Sequence, residues 1–102
     1  MQVTISWRHL EPSKVLDDLI NKKLAKLERF SRRILKVDTV LIREGARNLV
    51  EIQMKLSKAP TLLVKEQGYD IYDVINSCIH KAKSEIKHYE GKVREKKSGK
   101  SI

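Results

Sequence analysis

Residues able to do acid–base or metal chemistry are few and scattered in this chain. Its three histidines are His9, His80 and His88. His80 and His88 stand eight residues apart on one stretch, too far to share a coordination shell without further ligands, and His9 is remote from both. The single cysteine, Cys78, has no partner for an internal disulfide and lies within an apolar series, so a small buried hydrophobe is its plainer reading. Asp17-Asp18 and Asp70/Asp73 fall where helices begin, and capping and first-turn charge account for them better than an acid–base pair. The chain has no glycine-rich phosphate loop, no His-Glu-x-x-His and no Cys-x-x-Cys. A small hydrolase would need a convergent pocket of perturbed acids or histidines, and the sequence offers none. No catalytic residue, metal or cofactor is expected.

Cations are what the chain has in quantity. A formal net charge of +9 over 102 residues points to an anionic partner, nucleic acid ahead of a membrane surface. The excess is uneven: residues 13–33 and 92–100 each carry +4, residues 34–69 carry +2 and residues 70–91 carry −1. The aromatics are Trp7, Phe30, Tyr69, Tyr72 and Tyr89. Phe30 and Tyr89 fall on apolar stripes and are expected in the core. Tyr72 shares a helix flank with Asn76, His80, Lys83 and Lys87, where stacking on a base and partial burial are equal alternatives. So few exposed aromatics argue against single-strand recognition by base stacking and for backbone and shape recognition of structured RNA.

These cations need elements to position them. Residues 71–89 carry Ile71, Val74, Ile75, Cys78, Ile79, Ala82, Ile86 and Tyr89 at three- and four-residue steps, which predicts one long amphipathic helix. Asp70 is its expected N-cap and Gly91 its expected stop. A second helix is expected over 13–30, with Ser13 as N-cap and Val15, Leu16, Leu19, Ile20, Leu24, Leu27 and Phe30 as its apolar face. Lys23 falls inside that apolar arc. Snorkelling of its stem is slightly favoured over a cation held at a seam between two helices.

Four strands complete the order. Residues 1–7 alternate, with Val3, Ile5 and Trp7 on one side. Residues 37–42 read as a strand of ambiguous face, since Val37, Thr39 and Leu41 compete with Val40 and Ile42. Residues 49–56 turn Val50, Ile52, Met54 and Leu56 inward, and residues 61–67 do the same with Leu62 and Val64. Tight turns at 44–48 and 57–60 make the last three strands antiparallel, and the helical crossover makes the first pair parallel. The expected fold is a two-layer α+β domain, β-α-β-β-β-α, with both helices on one face of a four-stranded sheet. It spans residues 1–92, and residues 93–102 form a basic tail expected to be disordered. There is no basic leader and no apolar run of about 18 residues, so the cytoplasm is the default compartment.

The run Arg8-His9-Leu10-Glu11, Ser13, Leu16, Lys22-Lys23-Leu24 and Lys26-Leu27-Glu28-Arg29-Phe30 resembles the first half of ribosome hibernation promoting factors, also called ribosome-associated inhibitors. The run Gly68-Tyr69-Asp70-Ile71-Tyr72-Asp73-Val74-Ile75 resembles that family's Gly-x-Asp-Met-Tyr-x-x-Ile. Two signatures at this separation, in this order of elements, are specific where either alone would not be. The resemblance implies two parallel helices on the sheet, in a shape related to double-stranded-RNA-binding domains. It also implies binding of the small ribosomal subunit between head and body, where messenger and transfer RNA would lie, with translation silenced sterically and idle ribosomes protected under stress.

Basic residues of both helices face ribosomal RNA in that family. This carries over to Lys22, Lys23 and Lys26 on the first helix and to Lys81, Lys87 and Lys92 on the second. Arg8 and His9 match a family pair, and Tyr72 matches a family tyrosine. Arg29, in the first signature, and Lys83, beside Tyr72, complete the expected RNA-binding set. Trp7 stands in place of a common glycine, Asn76 and His80 in place of aspartates, and Ser84 and Glu90 where some members are basic. Ending at Ile102, the chain looks like a short form, expected to be monomeric when free. The alternative reading is a general structured-RNA binder or RNA chaperone.

Overall fold

The caps and the apolar spacing set where the elements begin. A computed structural model describes the backbone from Met1 to Lys100 and the side chains of residues 1–90. The elements are β1 (Gln2–Arg8), α1 (Lys14–Glu28), β2 (Ile34–Glu44), β3 (Arg47–Leu56), β4 (Leu62–Gly68) and α2 (Ile71–Lys100). Ser13 Oγ accepts from the Leu16 amide at 3.3 Å, satisfying one orphan N–H at the start of α1. Asp70 Oδ1 does the same for the amides of Tyr72 (2.9 Å) and Asp73 (3.3 Å) at the start of α2.

The sheet has the strand order β1-β2-β3-β4. β1 pairs parallel with β2, and β2–β3 and β3–β4 pair antiparallel. One face packs under the helices. There Val37 and Leu41 of β2, Val50, Ile52, Met54 and Leu56 of β3, and Val64 of β4 are buried against Leu16, Ile20, Leu24 and Leu27 of α1 and Val74, Ile75, Cys78, Ala82 and Ile86 of α2. Each large aliphatic side chain buried here contributes about 1.5–3 kcal/mol to folding. The ambiguous strand is settled by this: Val37, Thr39 and Leu41 face the helices, with a register irregularity between Ile34 and Lys36 at its start.

Two glycines meet specific demands. Gly45 turns the β2–β3 hairpin with φ +60°. At Gly68 a Cβ would stand 3.0 Å from Val74 Cγ2, so its absence lets the first turn of α2 close onto the end of β4.

Several boundaries and faces differ from expectation. β2 is longer at both ends, because each end finds a β3 partner, from Ile34↔Leu56 to Glu44↔Arg47. α1 ends at Glu28, so Phe30 leaves the helical rotation and is 42% exposed rather than in the core. Val15 lies on the far side of α1 from the buried stripe of Leu16, Ile20, Leu24 and Leu27 and is 65% exposed. Gly91 does not stop α2, whose backbone continues to Lys100. The division at residue 92, and Lys92 itself, fall outside the residues whose side chains are described.

Candidate nucleic-acid interface

Both helices return from the same end of the sheet and run in the same direction. Their later parts are fastened together: Ser31, just past α1, donates through Oγ to Glu90 Oε1 at 2.7 Å, and Arg33 Nε lies 3.9 Å from the same oxygen. The exposed surfaces of α1 and α2 therefore form one continuous face. An open depression of about 850 Å³ runs along it, lined from α1 by Lys23, Lys26 and Leu27, from the turn after it by Phe30, from α2 by Ile79, His80, Lys83 and Glu85, and from β4 by Glu66, among others.

The rotation of each helix decides which cations reach this face. Lys23 is half-buried beside the core residues Leu24 and Leu27 and lines the depression between the helices. Lys26, one turn away, is exposed in the same depression. From α2, Lys83 and Lys87 reach across to Phe30, with ammonium nitrogens 4.4 Å and 5.1 Å from its ring centroid. Among the described residues, no carboxylate pairs with any of these four lysines. Their charge is open to a partner.

Other expected site residues are placed elsewhere. Lys81 borders the depression, but its ammonium turns to the edge strand β4, 3.6 Å from Glu66 Oε1 and donating to the Lys65 carbonyl at 3.4 Å. Lys22 is exposed on α1 and Arg29 at its C-cap, where Arg29 lines a separate hollow with Arg32, Glu28 and Met1. Arg8 and His9 lie where β1 ends, His9 in the left-handed region at φ 60°. Tyr72 is half-exposed in the first turn of α2, at that same end of the domain. The set thus divides into a central group, Lys23, Lys26, Lys83 and Lys87, and an end group, Arg8, His9 and Tyr72.

Two features escaped the sequence reading. Phe30 was expected in the core, yet it forms an exposed aromatic floor beneath two lysines. Asn48, read only as part of a turn, is 1% exposed. Its Nδ2 donates to the Tyr69 carbonyl at 3.1 Å, and its Oδ1 accepts from Arg43 Nε and Nη2 at 3.2 and 3.1 Å. This joins the β2–β3 hairpin to the segment that launches α2.

Cys78 offers no chemistry to this face. It is fully buried on the sheet-facing side of α2, with its Sγ 3.5 Å from the Val50 carbonyl. Burial, and secondarily the Glu66 carboxylate, push its thiol up to about 12, against the opposing pull of Lys81. Among the described residues, no three metal-ligating side chains gather, and no helix is long and apolar enough to cross a membrane.

Known proteins share this fold. A ribosomal subunit interface protein from Coxiella burnetii superposes with a TM-score of 0.79 at 19% identity, over 89% of this chain and 99% of that one, which establishes the likeness of fold. The N-terminal domain of Protein Y from Thermus thermophilus superposes with a TM-score of 0.78 at 27% identity, over 87% of this chain and 99% of that one. A ribosome hibernation promoting factor from Azotobacter vinelandii is 30% identical over 94 residues, covering 91% of this chain and 87% of the relative. The sequence profile described as Sigma 54 modulation protein / S30EA ribosomal protein matches residues 3–94, which takes in every strand, α1 and most of α2. On that match the chain belongs to the Sigma 54 modulation protein / S30EA ribosomal protein family.

Proposed function

We propose that this protein is a ribosome-associated translation inhibitor. It binds the small ribosomal subunit in the channel where messenger and transfer RNA lie, and it silences and protects idle ribosomes. The observation that carries this reading is the convergence of Lys23, Lys26, Lys83 and Lys87, free of carboxylate partners among the described residues, on one face of the two-helix layer. Lysines gathered on one face, without carboxylate partners among the described residues, suit phosphate backbones, because each contact releases condensed counterions. The names of its relatives, a hibernation promoting factor and a ribosomal subunit interface protein, supply the partner. The role is steric and needs no catalytic residue. The protein acts in the cytoplasm, as a monomer when free.

Co-sedimentation tests this. At low salt the protein is expected with small subunits, and raising the salt is expected to release it, since log K falls linearly with log salt. Recovery in ribosome-free fractions at low salt would show the reading to be wrong. Footprinting on the ribosomal RNA then tests the channel. The lysine-only make-up of the central group also supports a second reading, a general structured-RNA binder, because contacts to phosphates carry no sequence information. Competition between small subunits and an arbitrary RNA duplex separates the two: equal affinity favours the second.

A further inference from the structure

We propose that Phe30 is a positioning residue for RNA binding, holding the ammonium groups of Lys83 and Lys87 together over its ring so that both meet the RNA backbone at once; this rests on the RNA-binding reading above. Both ammonium nitrogens, at 4.4 and 5.1 Å from the centroid, fall within the roughly 6 Å over which a ring's negative face attracts a cation. Phe30 is held in a turn just past α1, its amide donating to the Leu27 carbonyl at 2.9 Å. Lys83 and Lys87 are one turn apart on α2. The ring thus bridges the two helices at the edge of the depression.

Core packing does not explain it, because a phenylalanine 42% exposed keeps much of its ring in water. Nor do carboxylates explain where the lysines sit, since among the described residues neither has one within ion-pair distance. A carboxylate would also cancel the charge that RNA needs. A ring attracts the ammonium and leaves its full charge and outward N–H donors free. It also offsets the repulsion between two like charges held side by side. A free lysine loses rotamer freedom when it grips a phosphate, and two lysines already ordered over a ring lose less.

The test uses the full chain and purified bacterial small ribosomal subunits at fixed low salt. F30L is expected to weaken binding about fivefold, and F30W, which keeps a ring face, to stay within about twofold of the wild type. K83Q/K87Q is expected to lower the salt slope by about 1.5, whereas F30L leaves the slope unchanged because it removes no phosphate contact. Added to K83Q/K87Q, F30L is expected to do nothing further. In proton NMR, the ε-methylene signals of Lys83 and Lys87 are expected upfield in the wild type and F30W and at ordinary positions in F30L. Absence of that shift in the wild type overturns the proposal without any variant, so it decides even where F30L does not fold. An equal F30L loss in the K83Q/K87Q background overturns it too, since Phe30 would then act only on the fold. If K83Q/K87Q binds like the wild type, the RNA-binding reading falls and takes the proposal with it. If K83Q/K87Q loses affinity and F30L does not, Phe30 alone is misassigned.

Discussion

Ser31 and Glu90, separated by 59 residues of sequence, share a 2.7 Å hydrogen bond that ties the end of α1 to α2. Ser31 is 6% exposed, and its Oγ also accepts from the Arg33 amide at 3.2 Å. Arg33 in turn approaches Glu90 and stands over the Tyr89 ring, 5.8 Å from its centroid. An acidic residue here serves the scaffold. It fixes the spacing of the helices, and with it the spacing of the lysines on either side.

Removing that tie should loosen the layer. Glu90→Ala is expected to destabilise the protein by about 1–2 kcal/mol, because it leaves the largely buried Ser31 O–H donor without its acceptor and removes an ionic partner of Arg33. Ser31→Ala is expected to cost about 1 kcal/mol, and the double variant less than the sum, since both act on one bond. Urea unfolding checks this. Additive losses would mean the two residues act separately.

Thr39 predicts the opposite sign. It lies on the buried face of β2, 1% exposed, and its Oγ1 finds no hydrogen-bond partner among the described residues. Valine has nearly its shape and no hydroxyl to desolvate. Thr39→Val is therefore expected to stabilise the domain by about 1 kcal/mol, read as a rise in Tm. A fall in Tm would point to a hidden partner for the hydroxyl.

That threonine also shows where the sequence stopped being informative. Alternation in residues 49–56 has a single apolar face, so it fixed the inward side of β3. In residues 37–42 the buried set includes Thr39, while Val40 and Ile42 face the open side of the sheet. Pattern alone gives two answers there, and only pairing with β3 chooses. Ser13 and Asp70 were legible as caps because capping is local. Phe30 was not legible, because a helical rotation extended beyond the true end at Glu28 points the side chain into the core. Asn48 was missed because its partners, Arg43 and the Tyr69 carbonyl, come together only when β3 pairs with both neighbours. The cations were legible as a set, but their division was not: whether Lys81 or Lys83 faces α1 depends on where α1 lies.

Cys78 should make itself felt only in alkali. Its thiol is held near 12 in the folded chain, above its ordinary value of 9.0, because burial disfavours the thiolate. Below about pH 9 both states keep the proton and the group has no pH effect. Above that the unfolded chain ionises first and binds fewer protons than the folded one, so stability falls as pH rises from about 9 towards 12. Cys78→Ala leaves a small cavity but no titrating group, so its stability deficit relative to the wild type is expected to shrink between pH 8 and pH 11. A constant difference would contradict the assignment. At pH 8 the native thiol is expected to resist a disulfide reagent until urea opens the core, which a simple colour assay reads.

The placement of Lys81 makes the sharpest demand on the proposed RNA face. Its ammonium already has Glu66 and the Lys65 carbonyl, whereas those of Lys23 and Lys87 have no carboxylate partner among the described residues. Neutralising Lys81 should therefore remove little from binding, and Lys81→Gln is expected to change affinity for small subunits less than about twofold with the salt slope intact. Lys23→Gln and Lys87→Gln are each expected to lower the slope by about 0.7–0.9, one phosphate contact apiece. Reversal of Lys22, Lys23 and Lys87 together to glutamate is expected to abolish binding while circular dichroism stays native, since none of the three is in the buried core. If Lys81→Gln costs as much as Lys87→Gln, the lysine must leave Glu66 on binding, and the edge of β4 would then belong to the interface. If the triple variant still binds, the two-helix face is not where RNA sits.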